Sequence, residues 1–209
     1  MNQSDAVLFV VDDDAAMRRS LVYLFDSAGW QVQSFASAQD FLDHYDGHVP
    51  GCLVLDVRMP LMSGLGLQQM LKERRNPLPI IFLTGHGDLA MAVQAMKTGA
   101  CDFLEKPCKD QVLLDAVTRA VQRSIKEGRI HTQTRTAQSA LATLTARERE
   151  VAQLMAAGKP NKIIARELAI SDKTVQVHRH NTMEKLGVHS AAEITQLLMA
   201  AKAGPADAL

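Results

Sequence analysis

At 209 residues the chain suits one large domain or two small ones, and 47% hydrophobic with 22% charged residues excludes an intrinsically disordered polymer. Lys/Arg and Asp/Glu balance at 23 each, but residues through 123 hold 11 against 15 and those from 124 onward 12 against 8. A neutral total therefore hides an acidic front and a basic rear, as expected of two domains with different partners.

Cys52, Cys101 and Cys108 make neither a disulfide framework nor a metal-ligand spacing, so a reducing cytoplasm is the expectation. No leader-like start is visible and no apolar run approaches the ~18 residues of a membrane span.

Val7–Val11 is apolar throughout and reads as a buried strand that runs into Asp12, Asp13 and Asp14. Asp14, before Ala15 and Ala16, suits a helix N-cap. Asp12 and Asp13 are less simply explained, because they stand at a strand's carboxyl end, where parallel sheets place their chemistry. A helix to about Ala28 carries Met17, Leu21, Leu24 and Phe25 on one face, with Gly29 as its stop. Gln31–Phe35 alternates like an edge strand, and Ala38–His44 suits a short helix.

The apolar run Cys52-Leu53-Val54-Leu55 then delivers Asp56, with Arg58 and Pro60 beyond it. Alone, this carboxylate could simply cap the next loop. A turn over 60–64 precedes an amphipathic helix to about Arg75. Pro77 and Pro79 bracket a strand over 80–83 that ends at Thr84. A helix over Leu89–Thr98 closes at Gly99, and a short strand over 101–104 leads to Glu105, Lys106 and Pro107. From Asp110 a helix carries Leu113, Val117, Ala120, Val121 and Ser124 at 3–4 spacing. Five strands alternating with five helices predict an open parallel sheet wound on both faces.

The strand ends thus carry Asp12 and Asp13, Asp56, Thr84 and Lys106. Three carboxylates at one rim call for a cation, and an all-oxygen site with open water positions suits Mg2+. A lysine and a hydroxyl beside it suit phosphoryl oxygens, because positioning and charge neutralisation dominate phosphoryl transfer.

On these residues the front ~120 positions resemble the receiver domain of two-component response regulators, a doubly wound fold with strand order 2-1-3-4-5. The resemblance implies Asp56 as phosphoacceptor and Asp12 and Asp13 as the acidic pocket. Asp13, Asp56 and the Arg58 main-chain carbonyl would bind Mg2+, with Asp12 acting through water. Thr84 would be the switch hydroxyl, Phe103 the aromatic that moves with it, and Lys106 the phosphoryl partner, its bond to Pro107 cis. The run Leu83-Thr84-Gly85-His86-Gly87-Asp88 with Met91-Ala92-Val93 resembles the FixJ branch in particular. Cys108 departs from that branch, which usually has Phe there. Arg58 and His86, two residues past Asp56 and Thr84, either hinder the water that attacks the phosphoryl group or are ordinary exposed polar groups.

The rear half opens with a polar stretch, 124–143, read as a linker whose first part is compatible with a few more turns of the preceding helix. Thr145 and Glu148 have capping-box spacing, and Val151, Leu154 and Met155 give the following helix its buried face before Gly158 and Pro160 end it. Asn161 is the expected cap of a short helix to Leu168. After Ala169 and Ile170, Ser171 caps a second helix to about Leu186, with Gly187 closing it.

Two short helices joined this way suggest a helix-turn-helix over about 161–180. Val175, His178, Thr182 and Leu186 line one face of the second helix and suit a core, His178 included. Lys173, Gln176, Val177, His180 and Glu184 line the other, which fits either a solvated face or base reading. Lys173, Thr174 and Arg179 suit phosphate contacts.

The motifs Leu144-Thr145, Arg147-Glu148, Glu150-Val151, Asn161-Lys162, Ile164-Ala165, Ile170-Ser171, Thr174-Val175 and Val177-His178 resemble the LuxR-type four-helix DNA-binding domain. That resemblance implies base contacts from Gln176, Val177 and His180, and dimer contacts from a last helix over about 191–201, with Leu197 and Leu198 as candidates.

The expectation is an α/β receiver (1–123), a linker (124–143), an all-α DNA-binding domain (144–203) and a disordered tail (204–209). It would act as a cytoplasmic transcription regulator without enzymatic turnover beyond its own phosphotransfer and autodephosphorylation. A sensor histidine kinase would phosphorylate Asp56, driving homodimerisation on the face over 89–107, binding to double-stranded promoter DNA and activation through RNA polymerase.

Three other readings compete. A Mg2+-dependent phosphohydrolase would keep a second acid where Arg58 stands, and arginine cannot act as a base. A phosphate-independent regulator is disfavoured because all five site residues are present. A small-molecule sensor of the LuxR group would need an apolar ligand pocket in place of the acidic site.

Overall fold

A computed structural model describes residues 6–203 except 48, 75, 77 and 86–88. Expectations placed on Pro77, on His86, Gly87 and Asp88 and on the tail over 204–209 fall outside those residues. The chain divides into two compact units, Met1–Gly128 and Arg129–Leu209, each considered by itself.

In the first unit, β1 (Val7–Val11), α1 (Ala15–Ser27), β2 (Gln31–Phe35), α2 (Ala38–His44), β3 (Gly51–Leu55), α3 (Gly64–Glu73), β4 (Ile80–Thr84), α4 (Leu89–Thr98) and β5 (Asp102–Glu105) alternate along the chain. The sheet is parallel with order β2-β1-β3-β4-β5. Parallel strands buried on both faces require continuous apolar runs, and β1, β3 and β4 are buried at every position. Alternate side chains sort into two cores. Phe9, Val11, Leu53, Leu55 and Phe82 pack with Phe41 of α2 and Leu67 of α3. Leu8, Val10, Cys52, Val54 and Ile81 pack with Phe25 of α1 and with Leu113 and Val117 of α5 (Asp110–Ala142).

Register places the site. Val11 pairs with Leu55 across β1 and β3, so the residues that follow, Asp12 and Asp56, leave the sheet side by side. Thr84 pairs with Glu105 across β4 and β5, which sets Lys106 one residue beyond Thr84. The bend past Asp56 needs a residue without a side chain: a Cβ on Gly64 would stand 2.1 Å from the Asp56 carbonyl oxygen.

The second unit holds α6 (Ala146–Ala156), α7 (Asn161–Leu168), α8 (Asp172–Leu186) and α9 (Ala191–Lys202) around Val151, Met155, Ile164, Val175 and Ile194. Thr145 and Glu148 form the capping box, and Ser171 caps α8 through the Thr174 N–H. α7 departs from expectation: Pro160 stands at its N-cap and Asn161 is already helical, as proline's fixed φ readily sets the entry to a helix.

The stretch over 124–143 also differs from a linker helical only at its start. α5 continues to Ala142, and from Arg129 onward its residues belong to the second unit. There Ala137 is buried, and Ala140 and Leu141 join the second unit's core.

Candidate functional site

At the rim of the sheet, Lys106 Nζ lies 2.6 Å from Asp12 Oδ2 and 3.1 Å from Asp56 Oδ1. Asp12 and Asp56 are only 3% and 8% exposed, so both carboxylates depend on the partners they have. The second oxygen of Asp56 accepts the Arg58 N–H at 2.8 Å, and that of Asp12 accepts the Asp14 N–H at 2.9 Å. Partial burial works against the Lys106 charge, but its hydrogen bonds to Asp12 and Asp56 outweigh this and raise its pKa. Lys106 is therefore a fixed ammonium shared by two acids.

Thr84 is fully buried, and its carbonyl accepts the Lys106 N–H at 2.8 Å. The Lys106–Pro107 bond is cis. Phe103 is half-buried, 5.9 Å from Phe82 between ring centroids. Asp13 and Arg58 are exposed. Asp12, Asp56 and Lys106 are thus joined directly, Thr84 is tied to Lys106 through the main chain, and Asp13 stands at the solvent edge. Asp14 caps α1 through Ala16 and Met17, which lowers its pKa.

In the second unit, Lys173, Gln176, Val177 and His180 are exposed on α8, while Val175, Thr182 and Leu186 are buried. Thr174 and Arg179 are intermediate. Val177, an apolar side chain 52% exposed, sits among polar neighbours. His178 is half-buried: it lines a shallow, open depression with Ser171, Lys173, Thr174 and Val177, and its buried Nδ1 has no hydrogen-bond partner among the described residues.

Several contacts gave no sequence signal strong enough to single them out. Arg18 donates to the carbonyls of both Asp12 and Asp13; an arginine one turn into a helix that follows three acids is the only hint. Gln68 of α3 donates to the Ala95 carbonyl of α4 at 2.9 Å. Glu148, expected in a capping box and in the Arg147-Glu148 motif, also pairs with Lys185 at 2.7 Å. That bond, with the Thr145 N–H, lowers its pKa to about 2.

Residues 8–118 match the family described as response regulator receiver domain, and residues 142–198 match bacterial regulatory proteins, luxR family. The chain belongs to the response regulators that join a receiver to a LuxR-type DNA-binding domain, and is FixJ-like among them. It is 44% identical to the transcriptional regulatory protein FixJ of Bradyrhizobium diazoefficiens over 93% of this chain and 95% of that one. Identity to TdiR of Thauera aromatica, a transcriptional regulatory protein, is 45% over 93% and 86%. Among solved structures, response regulator StyR superposes with a TM-score of 0.86 at 44% identity, covering 93% of this chain and 98% of that one. Full-length FixJ from B. japonicum does so at 0.58 and 43%, covering 94% and 97%.

Proposed function

We propose that Asp56 is the phosphoacceptor of a switch controlling the DNA-binding domain, with 1–123 as the input and 144–203 as the output. The observation that carries this is the Lys106 ammonium held between the buried carboxylates of Asp12 and Asp56. One cation facing two acids leaves the rim short of positive charge, and a phosphoryl group would add more negative charge. The donors fit magnesium in kind: it takes hard oxygen ligands, needs only one or two carboxylates and keeps its waters. Asp13, Asp56 and the Arg58 carbonyl would hold it, with Asp12 through water. Bound there, the ion would neutralise phosphoryl oxygens.

A sensor histidine kinase is the donor in this reading. Asp56 takes the phosphoryl group, Lys106 pairs with one of its oxygens, and the Thr84 hydroxyl turns toward another while Phe103 moves inward. Carrying such a switch from mostly off to mostly on takes about 5 kcal/mol of differential interaction. The output is a homodimer through α4 and β5. Leu89 and Met96 of α4, 81% and 47% exposed, support that face.

Two linked DNA-binding domains would then engage two half-sites, the second binding event being effectively intramolecular. Gln176, Val177 and His180 read base edges, and Lys173, Thr174 and Arg179 hold phosphates. Recruitment of RNA polymerase and activation of transcription follow. Self-directed phosphotransfer and autodephosphorylation are the only chemistry in this scheme. Incubation with Mg2+ and a small phosphodonor is expected to add one phosphate to wild type and none to Asp56→Asn; equal labelling of the variant would refute the assignment.

A further inference from the structure

Three consecutive acids open the turn after β1, and each is held differently. Asp14 faces the helix, and Asp12 turns inward to Lys106. Asp13, the acid assigned to the ion, is exposed. Its position therefore rests on the main chain. Within the turn the Asp12 carboxylate takes the Asp14 N–H, and from outside it Arg18 grips the main chain: its Nη1 donates to the Asp12 carbonyl at 2.7 Å and to the Asp13 carbonyl at 3.0 Å. Arg18 is only partly exposed. It sits in the first turn of α1, where a cation opposes the positive end of the helix dipole. Ion pairing with the neighbouring carboxylates would offset that cost, yet the Arg18 hydrogen bonds go to carbonyls.

We infer that Arg18 is a positioning residue for the divalent-ion site, fixing the turn so that the Asp13 carboxylate is presented at the rim beside Asp56. The inference rests on the reading of that rim as a Mg2+ site. It makes a prediction opposite in sign to bare electrostatics. If Arg18 is only a nearby charge, its removal leaves a more negative site and tightens binding of a cation. If it holds the turn, its removal loosens binding, since lost supports behind metal ligands typically cost ~10–100-fold in affinity.

Arg18→Met keeps the aliphatic stem and removes the donors. Mg2+ titrated calorimetrically into the full-length chain should bind about tenfold more weakly to this variant than to wild type. Arg19→Met, which removes an equal charge one residue along on an exposed position, should bind as wild type or slightly tighter. Thermal unfolding without metal should be nearly unchanged for both. Arg18→Lys, which keeps the charge but not the guanidinium reach, should also weaken binding and carries the test if the Met variant does not fold. Wild-type or tighter affinity in the Arg18 variants overturns the inference. A wild type that binds no Mg2+ overturns instead the reading of the site on which it rests.

Discussion

The two units use buried polar groups in opposite ways. In the receiver, Asp12, Asp56 and Thr84 are buried, and they are the residues assigned to the switch. In the DNA-binding unit the buried Glu148 and Thr182 tie helices together, while the side chains assigned to base contacts lie exposed on α8. Glu148 is matched one to one by the Lys185 ammonium, its Oε2 also accepting from the Thr145 N–H and hydroxyl, and Thr182 donates to the Glu148 carbonyl. The receiver site instead sets two carboxylates on one lysine. A buried charge persists only with partners, so the charge-matched site serves rigidity. The under-compensated one can respond to a new charge. Function and stability should therefore be hard to separate in the front unit and easy to separate in the rear.

Gly64→Ala should be the most damaging single change. Its Cβ would meet the Asp56 carbonyl oxygen at 2.1 Å, a main-chain atom that cannot swing aside as a flexible side chain would, with Leu55 Cγ a further neighbour at 3.1 Å. A loss of about 3 kcal/mol is expected from such overpacking, together with impaired phosphorylation. Trp30 and both tyrosines lie in the front unit, so fluorescence-monitored unfolding reports it selectively. Full stability with lost phosphorylation would show that site and scaffold are more independent here than the comparison holds.

For the rear unit the corresponding stress is acid. The Glu148 pKa is depressed from 4.5 to about 2, chiefly by Lys185. A depressed carboxylate contributes stability that is present above its unfolded pKa and is lost as pH falls through the folded one. Amide protection in α6 and α8, corrected for the intrinsic exchange rate, should therefore fall between pH 4.5 and about 2. Lys185→Met should lower protection already at neutral pH and shift the acid loss upward toward 4.5. An unchanged profile would mean that the pair does not join the helices.

Legibility in the sequence followed the range of the interaction. Strand runs, the caps at Asp14, Thr145 and Ser171, and the five strand-end residues are local patterns, and they predicted the sheet and its rim. Glu148 and Lys185 are far apart along the chain and on different helices, so no periodicity links them. Arg18 reaches carbonyls, which every residue has, and so leaves no compositional trace. The arm over 129–142 looked like a linker because its buried residues are small: Ala137 and Ala140 carry little hydrophobic signal. For His178 helical spacing assigns the inner face, and the half-buried ring agrees, but spacing does not show whether a ring nitrogen finds a partner there.

That arm tests where the rear unit begins. Thr134 donates to the Ala203 carbonyl and Gln138 to that of Ala201, satisfying acceptors that the end of α9 leaves unpaired. A fragment over 129–209 should be more stable than one over 144–209 by about 1–2 kcal/mol, the worth of two modest hydrogen bonds. Chemical denaturation followed by far-UV dichroism measures it. Equal stability would return the arm to the status of a linker.

The smallest structural effect, and the clearest separation of function from stability, is expected on α8. Lys173 and Gln176 are exposed and, among the described residues, neither side chain makes a hydrogen bond or ion pair that holds the fold, so replacing either by alanine should change stability by less than about 0.5 kcal/mol. Their effects on DNA should nevertheless differ in kind. Loss of a phosphate contact weakens all sequences alike and lowers the salt slope by about 1, whereas loss of a base-reading amide relaxes preference at one position. Titrating both variants against operator and unrelated duplexes across a salt series separates the two. If Lys173→Ala changes sequence preference and Gln176→Ala changes only the salt slope, the helix meets DNA with its face rotated from the one its exposure suggests.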